Sequence, residues 1–357
     1  MSRSDFMKFT YPLLNWYNSH GRKNLPWQTQ RSAYRVWLSE IMLQQTQVKT
    51  VIPYFERFIT KFPDVNELAM ASEDEVLSLW SGLGYYSRGR NLHKTAVIIH
   101  AQYHGKFPED IKTLMQLPGI GASTAAAITS QAFNQPTAIL DGNVKRVLSR
   151  YFLISGYSSQ TTTELWQLAN QCMSHERPAD YTQAIMDLGA TCCKPNNPSC
   201  PQCPLQTTCL AYQGNVISDF PTKKPKKTLP IKHQQFLLMY NQDQQIYLEK
   251  RAPTGLWGGL WCTPSLDMEA NPVQSIKNTY ALEVIRMNHL MTIKHTFSHF
   301  KLNIEAFSIE TNATESSIFE CSGHWFYPEE TSKLGLAKPI MDIVKRFYQD
   351  LNASEPS

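Results

Sequence analysis

No apolar run in the 357-residue chain approaches the length a membrane span needs, and the first residues, Met1-Ser2-Arg3-Ser4-Asp5-Phe6, lack the apolar stretch of a secretory leader. The chain is therefore expected to stay in the cytosol, with no membrane partner. Charged residues make up only 18 % of it, against 42 % hydrophobic, and mean hydropathy is −0.35, an ordinary balance for a globular protein with room for more than one core. Disulfides are not expected in that compartment, although eight cysteines are present, five of them between Cys192 and Cys209. Such clustering argues for metal.

Charge is not scarce so much as unevenly placed. Residues 1–232 hold 24 Lys+Arg against 16 Asp+Glu, and residues 233–357 hold 10 against 14, so the first part is +8 and the second −4. A polyanionic partner suits the first part.

That basic part contains Leu117-Pro118-Gly119-Ile120-Gly121-Ala122-Ser123-Thr124. Two glycines let backbone approach a ligand, and the N–H groups opening the next helix form an anion site. A dinucleotide fingerprint also has Gly-x-Gly, but it needs a buried strand before it and a third glycine. Here the preceding residues, Pro108–Gln116, have helical spacing, and Thr124 stands where the third glycine would be. The turn thus lies between two helices and is expected to grip a DNA phosphate through Gly119 and Gly121. Asp141-Gly142-Asn143-Val144-Lys145-Arg146 follows, placing a carboxylate beside an amide and two cations, with Asp141 facing the adjacent sugar.

The period-3.6 segment Tyr34 to Val48 carries one acid, Glu40, between Val36 and Leu43 on one side and Trp37 and Gln44 on the other. A carboxyl lodged among apolar groups is costly to ionise, so its pKa should rise into the range of a general acid. Arg35 or a lysine could neutralise it instead. The uncharged run Gln44-Gln45-Thr46-Gln47 suits a wedge in a base stack. Gly21-Arg22-Lys23-Asn24-Leu25-Pro26-Trp27 offers cations and a ring to a phosphate and a base, or else a solvated loop with a core Trp27. Tyr85 and Tyr86, flanked by glycines, Arg88 and Arg90, read as a second clamp. Gln183 can both donate to and accept from a base edge.

Cys193, Cys200, Cys203 and Cys209 have the spacing C-x6-C-x2-C-x5-C, and Cys192 falls outside it. Four thiolates suit one zinc ion or one iron–sulfur centre, and the single Cys-x2-Cys argues against a zinc ribbon.

Residues 214–232, with Lys223-Lys224-Pro225-Lys226-Lys227, read as an exposed connector. Beyond it the period changes. Strands are expected at Gln235–Tyr240, Gln245–Glu249, Met291–Phe297 and Phe300–Ile309, and helices at Pro272–Ile285 and Pro339–Leu351.

The Glu40 segment, the Gly-x-Gly turn, the Asp141 segment and the four cysteines, in this order, resemble the helix-hairpin-helix DNA glycosylases that carry a 4Fe–4S cluster, and among them the adenine-excising branch. The resemblance implies a mostly α glycosylase domain over 1–213, the linker 214–232, and an α+β Nudix-like domain over 233–357. It implies a 4Fe–4S cluster on Cys193, Cys200, Cys203 and Cys209. It implies a base-excision repair enzyme, a monomer, acting on duplex DNA with adenine mispaired with 8-oxoguanine or guanine. Glu40 and Asp141 would be catalytic, with Arg22, Trp27, Gln183 and Ser123 around adenine. Gln44, Gln45, Tyr85, Gly119, Gly121, Asn143 and Lys145 would contact DNA, and Phe297, Ser298 and His299 would read 8-oxoguanine. The endonuclease III branch has a nucleophilic Lys where this chain has Ser123, so strand cleavage through a Schiff base is not expected. The Nudix-like part lacks an Arg-Glu-x-x-Glu-Glu run to hold Mg²⁺; Ile276–Met287 has only Glu283.

Overall fold

The helix starts are written in the sequence as caps. Ser32 opens helix Ala33–Leu43 by accepting from the Arg35 N–H, and Ser72 with Glu75 forms a reciprocal capping box at Glu73–Trp80. Asp141 opens Gly142–Phe152 by accepting from the Val144 N–H at 2.7 Å. Each such cap contributes about 1 kcal/mol to the helix it starts. The computed structural model describes residues 3–223, 225, 228–313 and 323–354.

The chain folds as two compact units, residues 1–70 with 91–226, and 71–90 with 227–357. Residues 71–90 thus pack with the C-terminal residues, which a linear division at 213 and 233 does not foresee. In the connector, Lys224, Lys226 and Lys227 lie outside the described residues.

The first unit is helical. Its core gathers Phe9, Leu13, Val144, Leu148, Ala184 and Leu188, all fully buried, from helices Arg3–His20, Gly142–Phe152 and Pro178–Asp187 and the π turn Leu188–Cys192. Two boundaries differ from the sequence pattern. The Glu40 helix ends at Leu43 rather than Val48, because Gln45 takes a left-handed φ of 57° and a new helix, Val48–Lys61, starts after it. The Gly-x-Gly turn joins Ile111–Leu114 to Ala122–Phe133. Gly119 there has φ 77°, and a Cβ on it would lie 2.9 Å from the Asn91 Cβ, so only glycine fits.

Among the described residues the second unit holds a seven-stranded mixed sheet: β1 (Ile231–Tyr240), β2 (Ile246–Lys250), β3 (Trp261–Cys262), β4 (Ser265–Asp267), β5 (Val284–Thr296), β6 (Lys301–Thr311) and β7 (Gly323–Phe326). The path runs β3-β2-β1-β6-β5, with β4 on β1 and β7 on β2. β1 and β6 are parallel, Ile231 facing Lys301, and Gln235–Met239 is buried throughout, as a strand covered on both faces should be. The expected helix Pro272–Ile285 stops at Tyr280, where Ala281 is left-handed, and Val284 already belongs to β5. The short β3, β4 and β7 gave too little alternation to be read. Helix Lys338–Ser354 closes the chain.

Residues 71–90 are fastened to this sheet. Lys250 pairs with Asp74 at 2.9 Å, the Tyr86 hydroxyl donates to the Leu336 carbonyl at 3.2 Å, and Arg90 donates to the Gly258 and Pro253 carbonyls. A Cβ on Gly335 would lie 2.7 Å from the Leu77 Cβ, so the close approach depends on that glycine.

Candidate active site and reading site

In the first unit a cavity of about 610 Å³ is lined by Glu40, Asp141, Arg22, Trp27, Gln44, Ser123, Asn143 and Gln183. These residues come from five separate stretches of sequence. Glu40 projects from the last turn of Ala33–Leu43, among Trp37, Ile41 and Met42, which are buried. Loss of solvation first, and the nearby charge of Asp141 second, push its carboxyl up to about 8, while a hydrogen bond to Gln131 pulls the other way. Arg35 does not neutralise Glu40; its Nη2 donates to the Pro26 carbonyl at 3.0 Å.

Asp141 is held by its own helix. One oxygen accepts from the Val144 N–H and the other from Asn143 Nδ2 at 3.2 Å. Burial raises its pKa, opposed by those two donors and by Arg146. The N-terminus of a helix also favours its charged form. Ser123, in the first turn of the hairpin helix, accepts from the Leu140 N–H at 3.2 Å.

Trp27 is 3 % exposed and packs edge-on against Phe55 at 5.3 Å, so it is a core residue that also walls the cavity. Gln44 reaches Thr124 Oγ1 at 3.5 Å. Gln45 is exposed and does not line the cavity; Gly119 and Gly121 are exposed on the hairpin, and Lys145 is half-buried on the helix that Asp141 caps. A Cβ on Gly121 would meet nothing within 4 Å, so a ligand has room to approach this helix start.

Three polar residues escaped the sequence reading. Asp187, fully buried, forms an ion pair with Arg22 at 2.8 Å and accepts from Gln183 Nε2 at 2.8 Å. Gln28 donates to both Gln131 and Gln183. The i, i+4 pairing of Gln183 with Asp187 was a usable signal for the first; nothing local marks Gln28 or Gln131.

The cysteines pack against the second half of the Asp141 helix. Cys193, Cys200, Cys203 and Cys209, with Cys192, line one small cavity whose other walls include Val147, Leu188 and Leu205. Helix Gly142–Phe152 supports the loop through two buried arginines. Arg146 donates to the Cys193 carbonyl at 2.7 Å; Arg150 donates to Cys193 Sγ at 3.3 Å and to the Lys194 carbonyl at 2.8 Å. Among the described residues, no three His, Cys, Asp or Glu side chains converge closely enough for one metal ion.

In the second unit a cavity of about 460 Å³ is lined by Tyr85, Arg90, Trp257, His295, Phe297, Ser298 and His299. Phe297 stacks on Phe300 at 4.5 Å and packs against His295 and Trp257, leaving Ser298 and His299 exposed at the β5–β6 turn. The Phe297 N–H donates to the Phe300 carbonyl at 2.8 Å and closes that turn. Tyr85, 46 % exposed with φ 49°, has the Arg88 guanidinium over its ring. Tyr85 thus lines one cavity with Phe297–His299.

A helical unit with two carboxyls at one cavity, beside a glycine hairpin, defines a class of base-excision repair enzyme. Residues 38–171 match the HhH-GPD superfamily base excision DNA repair protein family, and residues 235–346 match the NUDIX domain family. The chain is 40 % identical over 344 residues to the adenine DNA glycosylase of Buchnera aphidicola subsp. Schizaphis graminum, covering 95 % of this chain and 98 % of that one. It is 35 % identical to that of Mus musculus, covering 97 % and 79 %, and 34 % identical to that of Homo sapiens, covering 96 % and 74 %. A solved thermostable thymine-DNA glycosylase shares 26 % identity at TM-score 0.53 over 59 % of this chain and 98 % of that one. A non-covalent endonuclease III–DNA complex, at 20 % identity, TM-score 0.52 and coverage of 60 % and 98 %, shares the fold. The chain belongs to the adenine DNA glycosylase family, enzymes that remove adenine by hydrolysing its N-glycosyl bond. Among the described residues, no helix is long and apolar enough to cross a membrane.

Proposed function

We propose that this enzyme excises adenine mispaired with 8-oxoguanine or guanine in duplex DNA and does not itself cut the strand. The observation that carries the reading is that Glu40 and Asp141 share one cavity, Glu40 pushed up to about 8 by loss of solvation, and Asp141 held by donors of its own helix start that oppose the burial raising it. Adenine leaves the stack, at a cost of a few kcal/mol, and enters this cavity. Glu40 gives its proton to a ring nitrogen of adenine. The C1′–N9 bond then breaks with its electron pair going to the base, and the sugar acquires oxocarbenium character. Asp141, ionised, stabilises that cation. Water adds at C1′ and loses its proton, which returns Glu40 to its acid form. Arg22, Trp27, Gln183 and Ser123 form the pocket around the base. Asn143, Lys145, Gly119 and Gly121 hold the phosphates, and Gln44 and Gln45 fill the gap in the stack.

Phe297, Ser298 and His299, with Tyr85, would read 8-oxoguanine. A hydroxyl and an imidazole distinguish an added oxygen and N–H from guanine, and the aromatic packing behind Phe297 fixes the turn that presents them. The domain division at 213 and 233 belongs to this proposal, with 71–90 added to the reading unit. Ser123 offers no amine for a Schiff base.

A 4Fe–4S cluster on Cys193, Cys200, Cys203 and Cys209 fits the donor set. The four thiols line one cavity and would supply the thiolate ligands such a cluster takes. When bound, it would cross-link a loop otherwise held by Arg146 and Arg150.

Single-turnover base release from an A·8-oxoguanine duplex tests the reading, with a C·8-oxoguanine duplex as control. Release of adenine, no release of cytosine and no strand scission are expected. Strong borohydride trapping would overturn the monofunctional reading, and turnover by Glu40→Gln would overturn the assignment of the acid.

A further inference from the structure

One thiol at the cysteine cavity has no part in the proposed cluster. Cys192, Cys193, Cys200, Cys203 and Cys209 all line that cavity, and a 4Fe–4S cluster takes four of them. Cys192 is 6 % exposed, so it is a buried member of the group and not a surface thiol that merely adjoins it in sequence.

Cys192 and Cys193 are held differently. Cys193 is anchored by the Asp141 helix: its Sγ accepts from Arg150 Nη1 at 3.3 Å and its carbonyl from Arg146 Nε at 2.7 Å. Arg150 also meets the last cysteine, since Cys209 Sγ donates to the Arg150 carbonyl at 3.6 Å. These contacts favour Cys193 as the resting ligand. Cys192 is tied instead to the far end of the loop. Its Sγ donates to the Ser199 carbonyl at 3.4 Å, and its own carbonyl accepts from the Ser199 N–H at 3.0 Å. Ser199 directly precedes Cys200, so Cys192 stands at the neck of the loop that joins the first two ligands.

The backbone has a second, independent feature at this doublet. Leu188–Cys192 is a π turn, and the Cys193 N–H donates to the Leu188 carbonyl, five residues back, at 2.7 Å. Such a turn holds one residue more than an α turn. When it tightens to the α pattern, the Leu188 carbonyl passes from the Cys193 N–H to the Cys192 N–H. One backbone hydrogen bond replaces another, and residue 192 takes the place that residue 193 had. The extra residue moves into the loop before Cys200, where 194–199 holds no helix or strand to disturb. Lengthening a loop by one residue costs little. The contacts of Cys192 with Ser199 are given up.

We propose that Cys192 is a reserve ligand for the first corner of the cluster: where the bond to Cys193 is lost, the turn tightens by one residue and the Cys192 sulfur replaces it. This rests on the reading of the four cysteines as holders of a 4Fe–4S cluster. One Fe–S bond replaces another with no change of oxidation state. The incoming thiol gives its proton to water, and the outgoing sulfur takes one up.

Iron and acid-labile sulfide per chain, with visible absorption, test this on the full-length protein reconstituted anaerobically with ferrous iron and sulfide. Wild type and Cys192→Ala should fill alike. Cys193→Ala should keep most of its iron and sulfide, with a changed visible circular dichroism because the first ligand comes from a different residue. The double variant Cys192→Ala/Cys193→Ala should lose nearly all, and so should Cys200→Ala, which has no thiol beside it in sequence. A folded Cys193→Ala as empty as the double variant overturns the proposal, as does an empty Cys192→Ala beside a filled Cys193→Ala. If Cys193→Ala does not fold, the rate at which bathophenanthroline disulfonate strips iron decides. Cys192→Ala should lose iron several-fold faster than wild type, and equal rates overturn the proposal. If wild type itself takes up no iron and sulfide, the cofactor reading falls and the reserve role with it; if wild type fills and Cys193→Ala does not, only the reserve role falls.

Discussion

The two cavities differ in what lines them. The Glu40 cavity has two carboxyls, Arg22, and amides held by buried hydrogen bonds. Among the described residues the Tyr85–Phe297 cavity has no acid in its lining; it is rings, imidazoles, glycine turns and the cations Arg90 and Lys338, with Ser298 and His299 at the rim. Perturbed titratable groups make chemistry. Exposed rings and neutral hydrogen-bonding groups make contacts. If the first cavity carries the reaction and the second the recognition proposed above, each should be open to damage without the other.

The largest effect should come from removing the desolvated acid. Glu40→Gln keeps shape and hydrogen bonding but cannot protonate adenine, so single-turnover release should fall by about 10³-fold with duplex binding retained. The wild-type pH profile carries the same information. Glu40 is protonated below about 8, so release should hold at neutral pH and fall as pH rises through about 8. A profile that rises through that range would give Glu40 a different role.

Asp141→Asn separates charge from capping. Asn is as good an N-cap as Asp, so the melting temperature should change little. The cation at C1′ loses its counter-charge, and release should fall by about 10²-fold or more. A variant that loses activity only because helix Gly142–Phe152 has melted would show in circular dichroism.

A smaller and different effect is expected from the second cavity. Ser298→Ala and Phe297→Ala should reduce the preference for 8-oxoguanine over guanine opposite adenine by about tenfold, the scale of a lost hydrogen bond or a displaced turn. The release rate from an A·G duplex at saturating enzyme should not change. Tyr85→Ala should behave like these two, because the structure places Tyr85 in the same cavity. If it instead behaves like a change at Gln44, the grouping is wrong.

The two cavities were not equally legible in the sequence. Glu40 announced itself as the only acid on an otherwise apolar helix, and Asp141 as a residue followed by a helix start. Both signals are local. The Gly119 turn was legible as Gly-x-Gly between two helically spaced segments, and its left-handed φ beside Asn91 explains why glycine stands there. Gln131 and Gln28 were not legible, since each is an ordinary amide until the fold brings five segments together. The attachment of 71–90 was hidden for a similar reason. Apart from the Lys250–Asp74 pair, its hydrogen bonds named above go to backbone carbonyls at Leu336, Gly258 and Pro253, which leave no mark in side-chain pattern. The Phe297–His299 triplet carried meaning only through resemblance, because a hairpin with a buried ring reads the same way. Boundaries failed where one left-handed residue, Gln45 or Ala281, overrode the period.

The effect on stability tests the origin of the acid's strength. The folded protein holds the Glu40 carboxyl at about 8, against an ordinary value of 4.5. The folded state therefore binds the proton more tightly than the unfolded chain does. Below about 4.5 the group is neutral in both states and costs nothing. Between 4.5 and 8 the unfolded chain ionises while the folded one does not, so stability falls as pH rises; above about 8 the loss is complete. Glu40→Gln removes this dependence. Its melting temperature should match wild type near pH 4.5, exceed it by a growing margin up to about pH 8, and keep that margin beyond. Ser298→Ala removes no carboxyl and leaves the shifted group of the second cavity, His295, which burial holds below its usual range, in place, so it should show no such margin. A flat difference for Glu40→Gln across the whole range would mean that Glu40 is solvated after all, and that the contrast between the two cavities lies in their shapes and not in their electrostatics.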